Sequence, residues 1–504
     1  MSITDEFDPR VNGWFFENWK EATDFSWDLF RKTYLAINPT HNCLEAPLDC
    51  AFYELFKGCA AKGNCGGMSM LALALWKFGG FMGFCSPASF YTGKEGPDRA
   101  DLHEAINIFQ ARQFSAPGIQ NFVDAVKAGD LNDAEAAFNK VKSGLGSGDY
   151  ALISISNGLF GDAGHTVFPY RIDENPYGFP AGTKAMYIYD PNRPYDDFPE
   201  YYDYGYNKMI IKGPTNWTYD QKAGGLYNTG TFYDGSNLGW CFARPVTTEL
   251  HKARHPISVG FVFTNLTLLF VSGAGSAVTQ VEDDEGHQFY KTDSLHTAQS
   301  EIETNSLKRL EGVTRWLWLD AGSDGELPGE LYIIQRPAGS APLTLTVRGS
   351  EYHLRQFDSS NLIEIEAESV KTVRDRIRLE DFTGDAQALE IQSDGTKRRF
   401  HIHQLRTEAG EGDWRSLQVR NALITKGDLR IQVSPGFDAA EISCRHGTRQ
   451  FDLEFSQYRS KTLKKHDAGR RKVSSRKAII ITSKDWNAAE RPPAKDRSGK
   501  KSRS

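Results

Sequence analysis

Gly63-Asn64-Cys65-Gly66-Gly67-Met68-Ser69-Met70 places a cysteine between glycines at the head of an apolar run that continues to Phe78. The apolar periodicity predicts a helix from Cys65 to about Phe78, and the glycines predict a tight turn leading into it. A thiol in that position is exposed by the turn. It also stands at the end of a helix where unpaired N–H groups and the positive pole of the dipole favour a thiolate.

Two later segments supply chemistry that suits such a sulfur. Gly164-His165-Thr166-Val167-Phe168 puts a histidine at the start of a strand-like run, and Tyr187-Ile188-Tyr189-Asp190-Pro191-Asn192 ends a strand on a carboxylate and an amide. A thiol needs its proton removed, and an imidazole within hydrogen-bond reach holds the pair as thiolate and imidazolium. A carboxylate or amide then fixes which ring nitrogen faces the sulfur.

The helices lie first and the strands follow. Asp24 to Leu35, Arg99 to Phe109, Gly118 to Ala128 and Leu131 to Val141 carry helical patterns. Tyr150 to Ser156, His165 to Ile172, Ala185 to Tyr189 and Lys208 to Lys212 read as strands between Gly, Pro, Asn and Asp turns. That order predicts an α+β domain over residues 1–250, with helices packed on an antiparallel sheet. After His255 the helical period fades into short β-type runs, including Val259 to Phe263, Leu266 to Val271, Leu343 to Val347 and Leu429 to Val433. Residues 255–456 therefore read as a β-sandwich or barrel-like domain.

A chain of 504 residues, 39% hydrophobic and 12% aromatic, is long enough for two cores. Its net charge of −6 conceals an asymmetry: 16 Lys and Arg stand against 4 Asp and Glu from Tyr458 onward, leaving the rest near −18. Residues 457–504 read as a basic and largely disordered tail, too poor in apolar residues to offset the entropy of ordering. Its Lys464-Lys465 and Arg470-Arg471-Lys472 clusters suit an anionic partner or simple solubility.

The N-terminus has neither the basic start nor the apolar core of a signal peptide, and no apolar run is long enough for a membrane span. Seven cysteines, an odd count, favour reduced thiols and a cytoplasmic protein. The competing reading is a disulfide cluster among Cys43, Cys50, Cys59 and Cys85 in a protein exported without a cleavable signal. Zinc is disfavoured, since the Cys59 to Cys65 gap is too wide for a knuckle. His401-Ile402-His403 puts two histidines on one strand face with no carboxylate placed beside them, which reads as an exposed face. No metal and no cofactor is expected.

Taken in order, Asn64-Cys65-Gly66-Gly67-Met68-Ser69, Gly164-His165-Thr166-Val167 and Tyr189-Asp190-Pro191-Asn192-Arg193-Pro194 resemble the papain-like cysteine peptidase superfamily, in its divergent microbial branches, over roughly residues 40–245. The resemblance implies that Cys65 is the nucleophile, His165 its base and Asp190 the residue orienting the imidazole, with Asn192 as the alternative orienter. It also implies a glutamine six residues before the nucleophile, whose amide helps stabilise the oxyanion. Here that position is Cys59, a departure that calls for a replacement donor. Asn64 is the nearest amide, and it suits the helix N-cap equally well.

The implied activity is a cysteine hydrolase, a peptidase acting on protein or peptide substrates through a Cys65 acyl-enzyme. The same triad serves a glutamine deamidase or a transglutaminase-like acyl transferase. A third reading is an inactive scaffold whose β-rich half binds a partner. In that case Cys65 is an inert core thiol, His165 a satisfied interior histidine and Asp190 a turn residue.

Overall fold

The computed structural model describes residues 2–4, 7–19, 25–60, 63–91, 99–157, 164–222, 231–236, 239–255, 266–273, 277–284, 288–291, 312–319, 329–335, 342–357, 361–380, 387–394, 396–407, 413–425, 427–434 and 437–482. They fall into two compact units, Met1–Phe270 with Ile302–Arg336, and Val271–Glu301 with Pro337–Ser504. This division differs from a break at residues 250–255, because a hairpin from the later sequence belongs with the first unit. Linear order carries no signal for that.

In the first unit the strands are β1 (Ser2–Thr4), β2 (Ala151–Ile155), β3 (His165–Asp173), β4 (Lys184–Tyr189), β5 (Lys208–Ile211), β6 (Trp217–Asp220), β7 (Phe232–Asp234) and β8 (Cys241–Pro245). The helices are α1 (Pro9–Asn12), α2 (Trp27–Thr33), α3 (Pro47–Ala60), α4 (Cys65–Lys77), α5 (Ala100–Arg112), α6 (Ala116–Ala128), α7 (Ala134–Ser147), α8 (Pro199–Asp203) and α9 (Thr247–Leu250). The sheet is antiparallel in the order β7-β6-β5-β4-β3-β2-β8, and β1 continues the line of β2 along the far half of β3. Helices on an antiparallel sheet are the α+β arrangement expected from the pattern.

Period-2 alternation explains how this sheet carries two cores. Ala151, Ile153, Ile155, Val167, Met186 and Ile188 face α7 through Ala137, Phe138 and Val141. Leu152, Phe168 and Tyr189 point the other way, into a core with Met68, Met70, Leu71, Leu75, Ile106 and Phe109 of α4 and α5. Ten consecutive residues of α4, Gly66 to Leu75, are buried, so this helix is apolar all round and sits inside the domain. It comes unusually close to α5, because a Cβ on Gly67 would lie 2.2 Å from the Ile106 carbonyl oxygen.

The second unit contains β10 (Ala277–Asp283), β11 (Gln288–Lys291), β14 (Leu343–Phe357), β15 (Asn361–Glu380), β16 (Gln387–Ser393), β17 (Arg398–Thr407), β18 (Trp414–Ile424), β19 (Gly427–Val433), β20 (Ala440–Ser443), β21 (Thr448–Arg459), β22 (Thr462–Ser474) and β23 (Ile479–Ile481). β9 (Leu266–Ser272), β12 (Gly312–Leu319) and β13 (Gly329–Gln335) complete the chain order, with β12 and β13 pairing as the displaced hairpin. The twenty-residue β15 forks the sheet. Its first half pairs with β17 and its second half with β16, while β14 runs antiparallel along both. The two branches, β17-β18-β21-β22 and β16-β19-β20-β23, make a barrel-like antiparallel sheet. At the fork, Arg398 and Asp375 are fully buried and meet at 2.9 Å. The guanidinium also donates to the Gly349 and Ser350 carbonyls.

One expectation is overturned here. The basic segment is not a disordered tail from residue 457, because β22 pairs along the whole of β21 and β23 pairs with β20. An edge strand needs a backbone partner and few apolar contacts. β21 buries Phe451, Leu453 and Phe455, whereas β22 buries only Val473 and leaves its lysines and arginines at the edge, where charge opposes further strand addition. Residues 483–504 lie outside the described ones, as does the strand expected at Val259 to Phe263. Among the described residues, no helix is long and apolar enough to cross a membrane.

Candidate active site

Cys65 is the first residue of α4, His165 the first of β3, and Asp190 follows the last residue of β4. The antiparallel β3–β4 pair, with Phe168 opposite Tyr189, brings the start of one strand beside the end of the other. The turn before α4 requires Gly63, whose φ of +127° lies where side chains are strained.

The three side chains form one chain of hydrogen bonds. His165 Nε2 donates to Asp190 Oδ1 at 2.7 Å, and the ring is also hydrogen-bonded to Cys65, which leaves Nδ1 to face the sulfur. Asp190 is completely buried and fully satisfied. Its Oδ2 accepts from the Tyr219 hydroxyl at 2.6 Å and the Gln221 amide at 2.7 Å, and Oδ1 takes the Asn192 backbone N–H at 2.8 Å. Tyr201 in turn donates to Tyr219 at 2.8 Å, and Tyr233 stacks 6.2 Å from the His165 ring.

Charge follows from this geometry. Burial pushes the Cys65 thiol up, but the hydrogen bond and positive charge of His165, with backbone N–H groups of Thr166 and Gly66, outweigh it and hold the thiol below its ordinary range. For His165, burial opposes the imidazolium. The charge and hydrogen bond of Asp190, reinforced by Cys65, win and raise it well above the usual histidine value. Asp190 also resists burial and sits at about 2, through the charge and hydrogen bond of His165 and the donors Tyr219 and Gln221. The favoured state is therefore thiolate, imidazolium and carboxylate in a row. Cys65 is partly exposed as a residue, whereas His165 is 4% exposed and Asp190 0%, so Cys65 is the most open of the three.

Two candidates take other parts. Asn192 does not orient the imidazole: its backbone N–H braces Asp190, and the carboxylate is the imidazole's partner. Asn64 stands at the N-cap position of α4, with its carbonyl accepting the Met68 N–H, but its side chain does not cap the helix. Both amide atoms are sealed from solvent, with no hydrogen-bond partner among the described residues. The Cys59 side chain and residues Gly161 to Ala163 lie outside the described ones.

The expectation of reduced thiols is corrected at one place. Cys43 and Cys50, seven residues apart with Cα atoms 5.6 Å apart, form a disulfide that closes the turn before α3. Spacing alone does not reveal which cysteines a turn brings face to face. His41 lies beside them, and its nitrogen and the two sulfurs fall within 4.8 Å of one another, but the sulfurs are bonded to each other. Cys85 is exposed and free, and Cys241 and Cys444 are free and buried.

The histidine pair of β17 also differs from expectation, because Glu364 of β15 stands opposite it. His403 Nδ1 meets Glu364 Oε2 at 3.0 Å, His353 lies at 3.6 Å and Arg355 Nε at 3.2 Å. The guanidinium already supplies a cation there, which makes the cluster a poor metal site.

Tyr219, Gln221 and Tyr233 join the candidate site through Asp190 and His165, and the sequence pattern did not single them out. Trp217 and Tyr219 alternate along β6 and Gln221 follows its last residue in the same register, and that period of two was the signal available for placing them on one face. No family model, no curated protein and no solved structure matches the chain.

Proposed function

We propose that the first unit is a papain-like cysteine hydrolase, a peptidase that cleaves amide bonds through an acyl-enzyme on Cys65. One observation carries the reading: a cysteine at the head of a buried helix, joined by His165 to a carboxylate satisfied on every side. An inert core thiol has no use for such a relay.

The chemistry follows from the protonation states. The Cys65 thiolate adds to the substrate carbonyl carbon, and the His165 imidazolium gives its proton to the departing amine. Water, deprotonated by the now neutral imidazole, then releases the acyl group as a carboxylic acid and restores the thiol. Asp190 keeps the ring in one orientation and stabilises its charge.

The test is alkylation by iodoacetamide followed by peptide mass mapping. Cys65 should react faster than the exposed Cys85 at neutral pH and at least about tenfold slower after His165→Ala. Equal rates at the two cysteines sink the reading and leave a scaffold. Incubation with a peptide library and a primary-amine probe separates reactions sharing this triad. New N-termini mark a peptidase, ammonia release at glutamine a deamidase, and amine incorporation a transferase.

A further inference from the structure

The reaction above needs a donor for the oxygen that becomes negative when the thiolate adds, and Asn64 is sealed away from that role. We propose that Asn18 is that donor, an inference that rests on the cysteine hydrolase reading and assigns it a further catalytic residue.

Asn18 lies far from the triad in sequence and joins its parts in space. Its backbone N–H donates to the Pro191 carbonyl at 2.8 Å, beside Asp190, and its side-chain Oδ1 accepts the Asn64 backbone N–H at 2.7 Å, beside Cys65. Neighbours hold the segment still. Phe16 is buried, and Trp19 packs on Phe16 and against the His103 ring at 4.7 Å.

With Oδ1 committed to Asn64, the amide has one orientation, and Nδ2 is directed along Gly63. A Cβ at residue 63 would stand 3.3 Å from that nitrogen, so glycine serves the approach as well as the turn. Among the described residues no acceptor takes Nδ2, and Asn18 is partly exposed where Asn64 is not. Cys65 opens the helix, so its own N–H has no intrahelical partner. The Asn18 amide thus lies against the Gly63–Asn64 backbone that leads directly into Cys65 and its unpaired N–H.

As the C–S bond forms, the carbonyl π pair moves onto oxygen. That oxygen accepts hydrogen bonds from the Cys65 N–H and Asn18 Nδ2. When the pair returns to carbon, the C–N bond breaks and the amine leaves with the proton from His165. Donors aimed at the tetrahedral state act on that step and have no part in a direct displacement at a saturated carbon.

The experiment compares two probes on the full chain. p-Nitrophenyl acetate acylates Cys65 through an oxyanion, whereas iodoacetamide alkylates it without one. In Asn18→Ala, acylation should fall by at least about tenfold while alkylation stays within about threefold of the wild type. Asn18→Asp keeps an acceptor for the Asn64 N–H and deletes the donor, so its acylation, normalised to its alkylation, should fall likewise. Asn18→Gln should recover part of the loss.

Parallel falls in both rates would make Asn18 a structural brace, and an unchanged acylation rate would remove it from the reaction. Either result overturns this assignment and leaves the hydrolase reading standing if wild-type Cys65 is alkylated faster than Cys85. A wild-type Cys65 that is slow towards both probes ends both proposals.

Discussion

His165 meets Asp190 at 2.7 Å and His403 meets Glu364 at 3.0 Å, a difference too small to separate two histidine–carboxylate pairs. Their surroundings separate them. The side chains of the first pair are 2% and 0% exposed, and the far nitrogen of the ring carries a thiol. Those of the second are 25% and 24% exposed, with Arg355 sharing the carboxylate and His353 close to it. Desolvation strengthens the field that Asp190 exerts on His165, whereas water and a competing guanidinium divide that of Glu364. A histidine near a carboxylate is common. What gives it chemistry is enclosure on one side and a nucleophile on the other.

The comparison breaks most sharply at Asp190. Asp190→Asn should slow the reaction of Cys65 with iodoacetamide by about 10²-fold or more, because the imidazolium loses its counter-charge and the ring its orienting acceptor. Stopped-flow alkylation reads this directly, and a rate within twofold of wild type would place Asp190 among ordinary turn residues. The next effect belongs to the β-rich unit, where Arg398→Ala leaves Asp375 buried without its partner. Removing one member of a buried pair costs about 3–5 kcal/mol, measurable by denaturant unfolding of the unit's transition. Replacing both residues with apolar ones of similar size should recover much of that loss. Burial already holds Asp375 up at about 6 despite the guanidinium, so desolvation dominates this pair.

pH sharpens the contrast further. With the thiol held below its ordinary range, the loss of Cys65 alkylation on acidification should set in at a lower pH than it does for a free thiol, which slows about tenfold per unit below its own pKa. The stability linked to the pair has two limits. His165, raised on folding, contributes fully below its unfolded value of about 6.5 and loses the contribution as pH rises through its folded value. Asp190, lowered on folding to about 2, contributes above pH ~3.9 and loses it as pH falls through about 2. The melting temperature of the wild type minus that of Asp190→Asn, followed across pH, should therefore be a plateau bounded on both sides. The smallest effect falls on the open pair. Glu364→Gln should leave Cys65 alkylation untouched and cost about 1.5–3 kcal/mol, less than Arg398→Ala, because the partly buried carboxylate is held, against its burial, well below its usual range by hydrogen bonds and charge from His353 and His403.

Much of the first unit was legible because its signals are local. The glycine-flanked Cys65, the apolar α4 and the alternating β2, β3 and β4 each declare themselves within a few residues, and their order gives the α+β arrangement. The contacts of Tyr219, Gln221 and Asn18 were not legible, because each depends on which strand or segment is brought beside Asp190 or the turn before Cys65. The Cys43–Cys50 bond and the pairing of β21 with β22 were missed for the same reason. A short turn and an edge hairpin are set by partners, and composition describes only the chain that seeks them. Glu364 is the mirror case, a carboxylate opposite His403 that strand register alone provides.

Cys65, His165 and Asp190 all stand where a helix or strand begins or ends, on adjoining rims of the scaffold, and none projects from the middle of an element. Changes in the connecting segments beyond those rims, in length or composition, need not disturb the packed layers that aim the three groups. On the proposed hydrolase reading, selectivity for what is cut and the power to cut it can therefore drift independently, and a grafted loop is a means of redirecting the site without rebuilding it.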